Sequence, residues 1–232
     1  PSFVFETGLP FTMNQRQYLA WEYHGGGNRL INDFYKAYNI TSLPFGGTGA
    51  QMGGWFRKEI NTVDDMKGLK FRVAETPLHV DIFKARGASP TPMPYGEIYS
   101  GLQNKVIDGL EMDLSAIMME KHYEVAKNVT LSKHFTWPAI LMMNMNKFKS
   151  LSPEDQKIIV DSAKEVIDEN VKDIASIEQK AVADLKTKGV VLKDLSDAEL
   201  APFAAATKDI EAKYSAQDPI VAEFVKKARE IK

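Results

Sequence analysis

The sequence predicts an α/β fold with largely parallel sheets and one unusually long helix. Strand-like apolar segments alternate with helical ones, and no hairpin turn signal joins neighbouring strands. Neither glycine nor proline occurs between Pro153 and Gly189, which predicts a helix of roughly 35 residues where 11 or 12 is usual. The 232 residues fit either one large domain or two small lobes.

Composition excludes several classes of function. With 44% hydrophobic and 26% charged residues, the chain is an ordinary globular protein that can bury a sizeable core. Its formal charge of -2 provides no basic field for nucleic acid or an anionic membrane. No apolar run approaches the roughly 20 residues that cross a bilayer. Because there is no cysteine, disulfides, thiolate metal sites and cysteine nucleophiles are excluded.

The first third of the chain begins with helix and continues with short strands. Aromatic and apolar residues at helical spacing predict helix over 15–38, broken by the glycines at 25–27. A short strand is predicted at 41–44, while 48–54 is too rich in glycine for the interior of an element. A capped helical turn then leads into a strand at Lys70–Val73.

Short helices and extended segments alternate in the middle of the chain, and helices dominate its end. Pro153 follows Ser152 as a strong start of the long helix. The other predicted elements, in chain order, are a helix at 78–85 ended by Gly87, an extended passage at 90–94, a helix at 97–104, a short strand or turn at 107–111, a helix at 114–126, one or two strands within 128–145, a strand at 190–192, and two helices within 197–232 separated near Asp218.

Arg72 is the first candidate for a ligand contact. It ends the apolar run Gly68-Leu-Lys-Phe-Arg-Val, and its permanently charged, planar guanidinium needs an anionic partner such as a carboxylate. A surface arginine paired with Glu75 explains the residue equally well from sequence alone. Gln51 among glycines and Glu111 after Asp108-Gly are also open to two interpretations, as site residues or as a solvated turn residue and a helix cap.

Four segments together resemble the solute receptors of the tripartite ATP-independent periplasmic (TRAP) transporters. Two of them are the arginine strand at 68–73 and the run Glu-Ile-Tyr-Ser-Gly-Leu-Gln-Asn-Lys-Val-Ile-Asp-Gly-Leu-Glu at 97–111. Two more, Tyr-His-Gly-Gly-Gly at 23–27 and Thr-Gly-Ala-Gln-Met-Gly-Gly-Trp-Phe at 48–56, are similar to the receptors for 2-oxo acids. The resemblance extends over nearly the whole chain.

This resemblance implies a two-lobe periplasmic-binding-protein-like fold with hinge strands and a long lobe-spanning helix. The first lobe would hold 1–49 and 138–177, and the second 50–137 and 178–232 with its C-terminal helices. The N-terminus has neither the basic nor the apolar region of a signal peptide. Because the receptors are longer, we expect an additional N-terminal α/β segment in the complete protein, which would reside in the periplasm.

The resemblance also implies roles for individual residues. The arginine at the position of Arg72 clamps a substrate carboxylate, and Gln51 and Glu111 match a glutamine and a glutamate around a metal ion. Hard oxygen ligands of this kind suit Na⁺ or Ca²⁺, and no organic cofactor is implied. Where 2-oxo acid receptors have tryptophan after the glutamate, this chain has Met112, whose carbonyl could ligate the ion, followed by Asp113, a candidate ligand-binding residue.

Two tryptophans, Trp55 and Trp137, are candidates for the wall of the ligand pocket, with core packing as the alternative for each. The function expected is capture of a small organic monocarboxylate, a 2-oxo or 2-hydroxy acid, for delivery to the membrane permease subunits. A homodimer through 197–232 is suggested by analogy with some 2-oxo acid receptors.

Catalysis finds little support, since the chain has no Gly-x-Ser-x-Gly elbow, no His-Glu-x-x-His helix and no phosphate loop. The enzyme alternative is a metal-dependent lyase or isomerase that uses Glu111 and Asp113 on an oxo acid. A third interpretation is a structural or signalling module that dimerises through its long helix.

Overall fold

The computed structural model describes residues 9–51, 54–73, 76–131 and 136–231, and the fold is mixed α/β. Its helices and strands follow one another as α1 (Gln15–His24), α2 (Gly27–Tyr35), β1 (Ile40–Ala50), β2 (Gly54–Phe56), β3 (Lys70–Val73), α3 (Pro77–Ala85), β4 (Ser89–Pro92), α4 (Ile98–Gln103), β5 (Gly109–Leu110), α5 (Leu114–Met119), β6 (Asn128–Leu131), β7 (Thr136–Asn144), α6 (Met145–Ser150), α7 (Pro153–Thr187), β8 (Val191–Asp194), α8 (Asp197–Ser215) and α9 (Pro219–Glu230).

The chain divides into two compact units, and each is discontinuous in sequence. The first unit consists of Pro1–Gly49, Phe135–Ser176 and Tyr214–Lys232, and the second of Ala50–His134 and Ile177–Lys213. These bounds differ from the predicted lobes chiefly after Lys213, because α9 belongs to the first unit. There the Phe224 ring packs edge-on against Trp21, with 5.0 Å between ring centroids. Sequence periodicity identifies a helix without indicating which partner it packs on.

In the first unit, glycines separate α1 from α2 as predicted. Gly26 has φ +84°, a left-handed conformation that glycine adopts without strain. A Cβ atom on Gly27 would lie 2.4 Å from the ring of Trp21, so only glycine allows α2 to begin this close to α1. Asn14 caps α1 by accepting a hydrogen bond from the Gln17 N–H over 3.0 Å.

The two-stranded sheet of the first unit, β1 with β7, corrects the expectation for this segment. The strand predicted at 41–44 is present but longer than expected, since β1 runs for 11 residues. It includes residues 48–50, which were expected to be irregular. Gly46 and Gly49 adopt φ values of +90° and +84° within it. A Cβ on Gly47 would lie 2.7 Å from the Trp137 carbonyl, so glycine here allows close approach between chain segments.

The second unit contains a six-stranded sheet in the order β4-β3-β5-β2-β6-β8. The pairs β3–β4, β3–β5 and β6–β8 are parallel, as expected. The expectation fails for β2, which runs antiparallel to both β5 and β6. Since β2 has three residues and β5 two, neither shows a periodicity from which its direction could be predicted.

Both faces of this sheet are covered by apolar packing. Trp55 and Phe56 are adjacent in β2 and point to opposite faces, and both are fully buried. On one face, Phe71 lies 4.7 Å from Phe83 of α3, which lies 5.8 Å from Phe203 of α8 (ring centroids). On the other face, the buried side chains around Trp55 come from β5, α4, α5 and the last turns of α7, among them Leu110, Ile98, Leu102, Ile117, Ala181 and Leu185.

The helices follow the sequence predictions, except that α6 was not expected and that α5 is shorter than expected. The long helix α7 has 35 residues, as expected from its composition. The helix predicted at 114–126 was too long, because α5 ends at Met119 and Lys121 has φ +56° before a 3-10 turn at His122–Glu124. Within the described residues, no helix combines the length and the apolar character needed to span a bilayer.

Candidate functional site

The candidate residues of the second unit gather at one edge of its sheet. Because β3, β4 and β5 are mutually parallel, their carboxyl ends share an edge, where ligands usually bind in α/β folds. Arg72 lies in β3, and Glu111 directly follows β5. Since β2 is antiparallel to β5, its amino end lies at this same edge, together with Gln51, which precedes it. The fold therefore brings together residues separated by some sixty positions in sequence.

Arg72 is half-buried, and its guanidinium is oriented by the backbone. Its Nε donates a hydrogen bond to the Met93 carbonyl over 3.2 Å, which fixes the plane of the side chain. The Glu111 N–H donates to the Arg72 carbonyl over 3.4 Å and so ties the end of β5 to this residue. Glu75, the alternative partner considered from sequence, lies outside the described residues.

Glu111 is a buried carboxyl close to a cation. Its side chain is only 6% exposed, and burial raises its pKa to about 8, while Arg72 acts in the opposite direction. The attraction of Arg72 is thus too weak to offset the loss of hydration. An additional positive charge beside Glu111 would favour its ionised form, since an opposite charge stabilises a carboxylate.

Gln51 and Asp113 face each other across an isolated antiparallel bridge, and both are buried. Asp113 is also the N-cap of α5, where its Oδ1 accepts hydrogen bonds from the Ala116 N–H at 2.9 Å and from the Ser115 hydroxyl. The carboxylate therefore holds the start of α5, and its role as a ligand contact remains a prediction. Because of the bridge, Gln51 lies beside the segment that contains Glu111.

Trp55 lies in the core of the second unit, and its contact with a ligand remains a prediction. Its side chain has no exposed surface, and its indole Nε1 donates a hydrogen bond to the Met112 carbonyl over 3.3 Å. A carbonyl oxygen has two lone pairs, so this bond leaves one of them for a further partner. Trp55 thus orients a backbone oxygen of the candidate site from within the core.

The oxygen donors available here fit a hard cation. Gln51 offers an amide oxygen, Glu111 a carboxylate and Met112 a carbonyl, the types of ligand that Na⁺ and Ca²⁺ accept. Over the described ranges, no group of three or more acidic, histidine or cysteine side chains could hold a metal ion. That leaves the mixed set of oxygens as the candidate. Trp137 belongs to the first unit, where it lies half-buried in β7. The fold of the second unit therefore does not place it beside Gln51 and Glu111.

Two residues at this edge were missed by sequence reasoning. Tyr95 follows β4 and is 46% exposed; its pKa is raised by partial burial and by Glu120 and Asp113, and lowered by Arg72. His122 is 1% exposed, and burial lowers its pKa. Its Nδ1 has no hydrogen-bond partner within the described part of the chain. Tyr95 could have been found from its position just after an expected strand.

The chain matches a family of known proteins along most of its length. The model of the family described as "Bacterial extracellular solute-binding protein, family 7" matches residues 1–218. A curated "Solute-binding protein" of Verminephrobacter eiseniae is 31% identical over 221 residues, which is 94% of this chain and 65% of that relative. The chain thus spans less than two thirds of the length of this relative.

Solved structures agree with this match. A TRAP periplasmic solute binding protein from Colwellia psychrerythraea, with bound calcium and pyruvate, has a TM-score of 0.89 and 32% identity, covering 99% of this chain and 70% of that one. A second, from Pseudoalteromonas atlantica with bound sodium and pyruvate, has a TM-score of 0.88 and 30% identity, covering 98% and 70%. Both are described as binding proteins, and neither as an enzyme.

Proposed function

This chain belongs to the bacterial extracellular solute-binding proteins of family 7, the receptors of TRAP transporters, and on that premise we propose that its site captures a small 2-oxo or 2-hydroxy monocarboxylate. Members of this family bind solutes and are not enzymes, which confirms the prediction of a binding protein and leaves the lyase or isomerase alternative without support. The two-lobe fold with a long helix, expected from the resemblance, is that of the structural neighbours.

The observation that carries the proposal is Arg72 at the carboxyl edge of three parallel strands. The Met93 carbonyl holds its Nε, so the guanidinium is oriented before a ligand arrives. A planar guanidinium in a fixed orientation recognises a carboxylate by two parallel hydrogen bonds. Glu111, at the same edge, is largely uncharged below its raised pKa of about 8, which limits its repulsion of an incoming anion. The bound pyruvate of the two solved relatives supports this choice of ligand.

A cation is the second part of the proposal. Gln51, Glu111 and the Met112 carbonyl would hold Na⁺ or Ca²⁺, the ions present with pyruvate in the two relatives. When bound, the ion supplies positive charge that attracts the ligand carboxylate. For Trp55, the buried hydrogen bond to Met112 favours support of this carbonyl over direct contact with the ligand. Trp137 remains a proposed ligand contact from the first unit.

We propose that the protein acts in the periplasm and delivers its ligand to the TRAP permease subunits in the membrane. The neighbouring solved proteins are named periplasmic, which supports this compartment. A homodimer through the C-terminal helices is a separate proposal that light scattering on the purified protein would test. Part of each of these helices already packs within a unit, through Phe203 of α8 and Phe224 of α9.

A ligand screen on the purified protein tests the proposed function. Pyruvate, lactate and propionate would each be added in potassium buffer containing EDTA, or with added Na⁺ or Ca²⁺, and thermal unfolding followed. A ligand bound only by the native state stabilises it by about 2.7 kcal/mol at a hundred times its dissociation constant. We expect stabilisation by pyruvate or lactate, larger with the cation. If no organic acid changes the unfolding temperature under any of these conditions, the proposed function is wrong.

A further inference from the structure

We propose that Tyr95 is a specificity-determining residue of this site, whose phenol donates a hydrogen bond to the oxygen on C2 of the ligand. The inference rests on the proposed function, because it requires a carboxylate held by Arg72. Neither the sequence motifs nor the family match assigns a role to this tyrosine. Its position, exposure and electrostatic surroundings carry the argument.

Tyr95 lies two residues after Met93, whose carbonyl accepts the hydrogen bond from Arg72. The strand β4 ends at Pro92, paired with Val73 at the edge where the candidate site lies. The next residue, Met93, accepts the hydrogen bond from the Arg72 Nε over 3.2 Å, and Tyr95 stands two residues further along. The backbone that orients the guanidinium therefore also positions the phenol.

The local backbone after Met93 is fixed, so the ring projects from a defined turn. Pro94 restricts the chain before Tyr95, and the Glu97 N–H donates to the Pro94 carbonyl over 3.1 Å. Tyr95 opens the resulting 3-10 turn, Tyr95–Glu97, directly before α4. A side chain on such a turn reaches a bound molecule with little loss of backbone freedom.

Three charged groups act electrostatically on the phenol. Partial burial is the main cause of the raised pKa of Tyr95. Glu120 and Asp113 raise it further and Arg72 lowers it, so its oxygen lies within the electrostatic range of all three. The net effect is a raised pKa, which keeps the hydroxyl protonated at neutral pH. A protonated phenol both donates and accepts hydrogen bonds, and it therefore suits a 2-oxo oxygen, which only accepts, and a 2-hydroxyl, which does both.

The hydroxyl of Tyr95 has no structural task that competes with this role. Its side chain is 46% exposed, and no residue in the described ranges forms a hydrogen bond with its hydroxyl. Tyr99, four residues later, differs in this respect, because its hydroxyl donates to Glu124 Oε2 over 2.9 Å. The two tyrosines therefore form a matched pair for mutation.

The test compares Tyr95→Phe with Tyr99→Phe by calorimetry, with pyruvate, lactate and propionate as ligands. Propionate has the carboxylate but no oxygen on C2. A neutral hydrogen bond corresponds to about a three- to tenfold change in affinity. We expect Tyr95→Phe to weaken pyruvate and lactate by that factor and to leave propionate and the unfolding temperature unchanged. Tyr99→Phe should leave the preference for pyruvate over propionate unaltered.

The outcomes separate this inference from the proposed function. If the unmodified protein binds none of the three acids, the proposed function fails and the role of Tyr95 fails with it. If it binds pyruvate but Tyr95→Phe keeps the same ratio of pyruvate to propionate affinity, the receptor function stands and the inference about Tyr95 is overturned. An equal loss for all three acids has the same meaning, since Tyr95 would then only shape the pocket.

Discussion

The indole Nε1 of Trp55 donates a hydrogen bond to the backbone carbonyl of Met112 over 3.3 Å, from a side chain with no exposed surface. The resemblance to the 2-oxo acid receptors implies a tryptophan at the position of Met112, whose own side chain has no indole. The carbonyl of Met112 is nevertheless oriented by a tryptophan, from the neighbouring strand β2. A change of side chain at this position therefore leaves the backbone oxygen in place.

Replacing Trp55 by phenylalanine should weaken cation-dependent binding. The substitution keeps an aromatic ring in the core and removes the donor to Met112. Loss of a hydrogen bond of about 1 kcal/mol corresponds to roughly fivefold in affinity. We expect this loss for pyruvate in Ca²⁺, measured by calorimetry, and a smaller one in EDTA.

Trp21→Phe is the matched control for that substitution. Trp21 is 2% exposed in α1, and its Nε1 has no hydrogen-bond partner among the residues described. Both variants lose part of a buried ring, so both should lower the free energy of unfolding. Only Trp55→Phe should change pyruvate affinity. Equal affinities for the two variants would contradict a role for the indole in positioning Met112.

Arg72→Lys should weaken binding of the best organic acid by about ten- to a hundredfold. Lysine keeps the positive charge but lacks the planar fork that binds a carboxylate at two points. A hydrogen bond to a charged group contributes roughly 1.5–3 kcal/mol, and each ~1.4 kcal/mol corresponds to tenfold in affinity. Calorimetry on the variant measures the change, and circular dichroism checks that it folds.

Arg57→Lys provides the control for the arginine clamp. Arg57 pairs with Asp108 over 2.6 Å, and Asp108 directly precedes β5, at the end of the strand opposite to Glu111. Because Arg57 lies at the opposite end of the strand from the site, Arg57→Lys should change ligand affinity by less than about twofold. A change of that size is smaller than the loss of one hydrogen bond would cause. Unchanged affinity in Arg72→Lys would mean that Arg72 is structural and that the carboxylate clamp lies elsewhere.

Gln51→Ala and Glu111→Gln should both remove the dependence of ligand binding on Na⁺ or Ca²⁺. Each replacement deletes or neutralises a hard oxygen donor to the proposed ion, so the ion would no longer support the ligand. Titrations of each variant in potassium buffer with EDTA, in Na⁺ and in Ca²⁺ measure this. A variant that responds to the cations as the unmodified protein does would disprove the cation site.

His79 should make the protein less stable in mild acid. It is 1% exposed in α3, and burial lowers its pKa from 6.5 to about 4. Between these two pH values, His79 is protonated in the unfolded chain and neutral in the folded one. The free energy of unfolding therefore falls as the pH falls from about 6.5 to about 4. A shift of this size corresponds to a loss on the order of 3 kcal/mol.

Urea unfolding at pH 7 and pH 4 measures this effect, with His79→Gln as the test variant. The variant should show a smaller loss of stability between the two pH values, whatever its stability at pH 7. His24→Gln is the control, because it makes the same chemical change at an exposed position, the end of α1. An identical pH dependence in the unmodified protein and in His79→Gln would contradict the prediction.

Elements whose signals are local could be predicted from the sequence. The long helix α7 follows from an uninterrupted stretch of helix-forming residues, and Gly87, at φ +77°, ends the α3 segment as expected. Arg72 was singled out as a candidate from the conflict between its charge and its apolar strand, and its contact with a ligand remains a prediction. In each case the physical constraint acts within a few residues of the feature that it determines.

Features that depend on sheet order could not be predicted in this way. The length of β1 was missed because Gly46 and Gly49 suggest a loop until the close packing of the neighbouring chain is known. Tyr95 stands just after an expected strand, but only the pairing of β4 with β3 places it near Arg72. The burial of Trp55 likewise depends on its two antiparallel neighbours.

The contact between Trp21 and Phe224 has a consequence for biosynthesis. The helices α1 and α2 are made early, whereas α9, which packs against them, is translated after the entire second unit. The aromatic surface around Trp21 therefore stays partly exposed until the residues up to Phe224 have been translated. Since exposed apolar surface promotes aggregation, we expect the first unit to be prone to aggregation until α9 has been made.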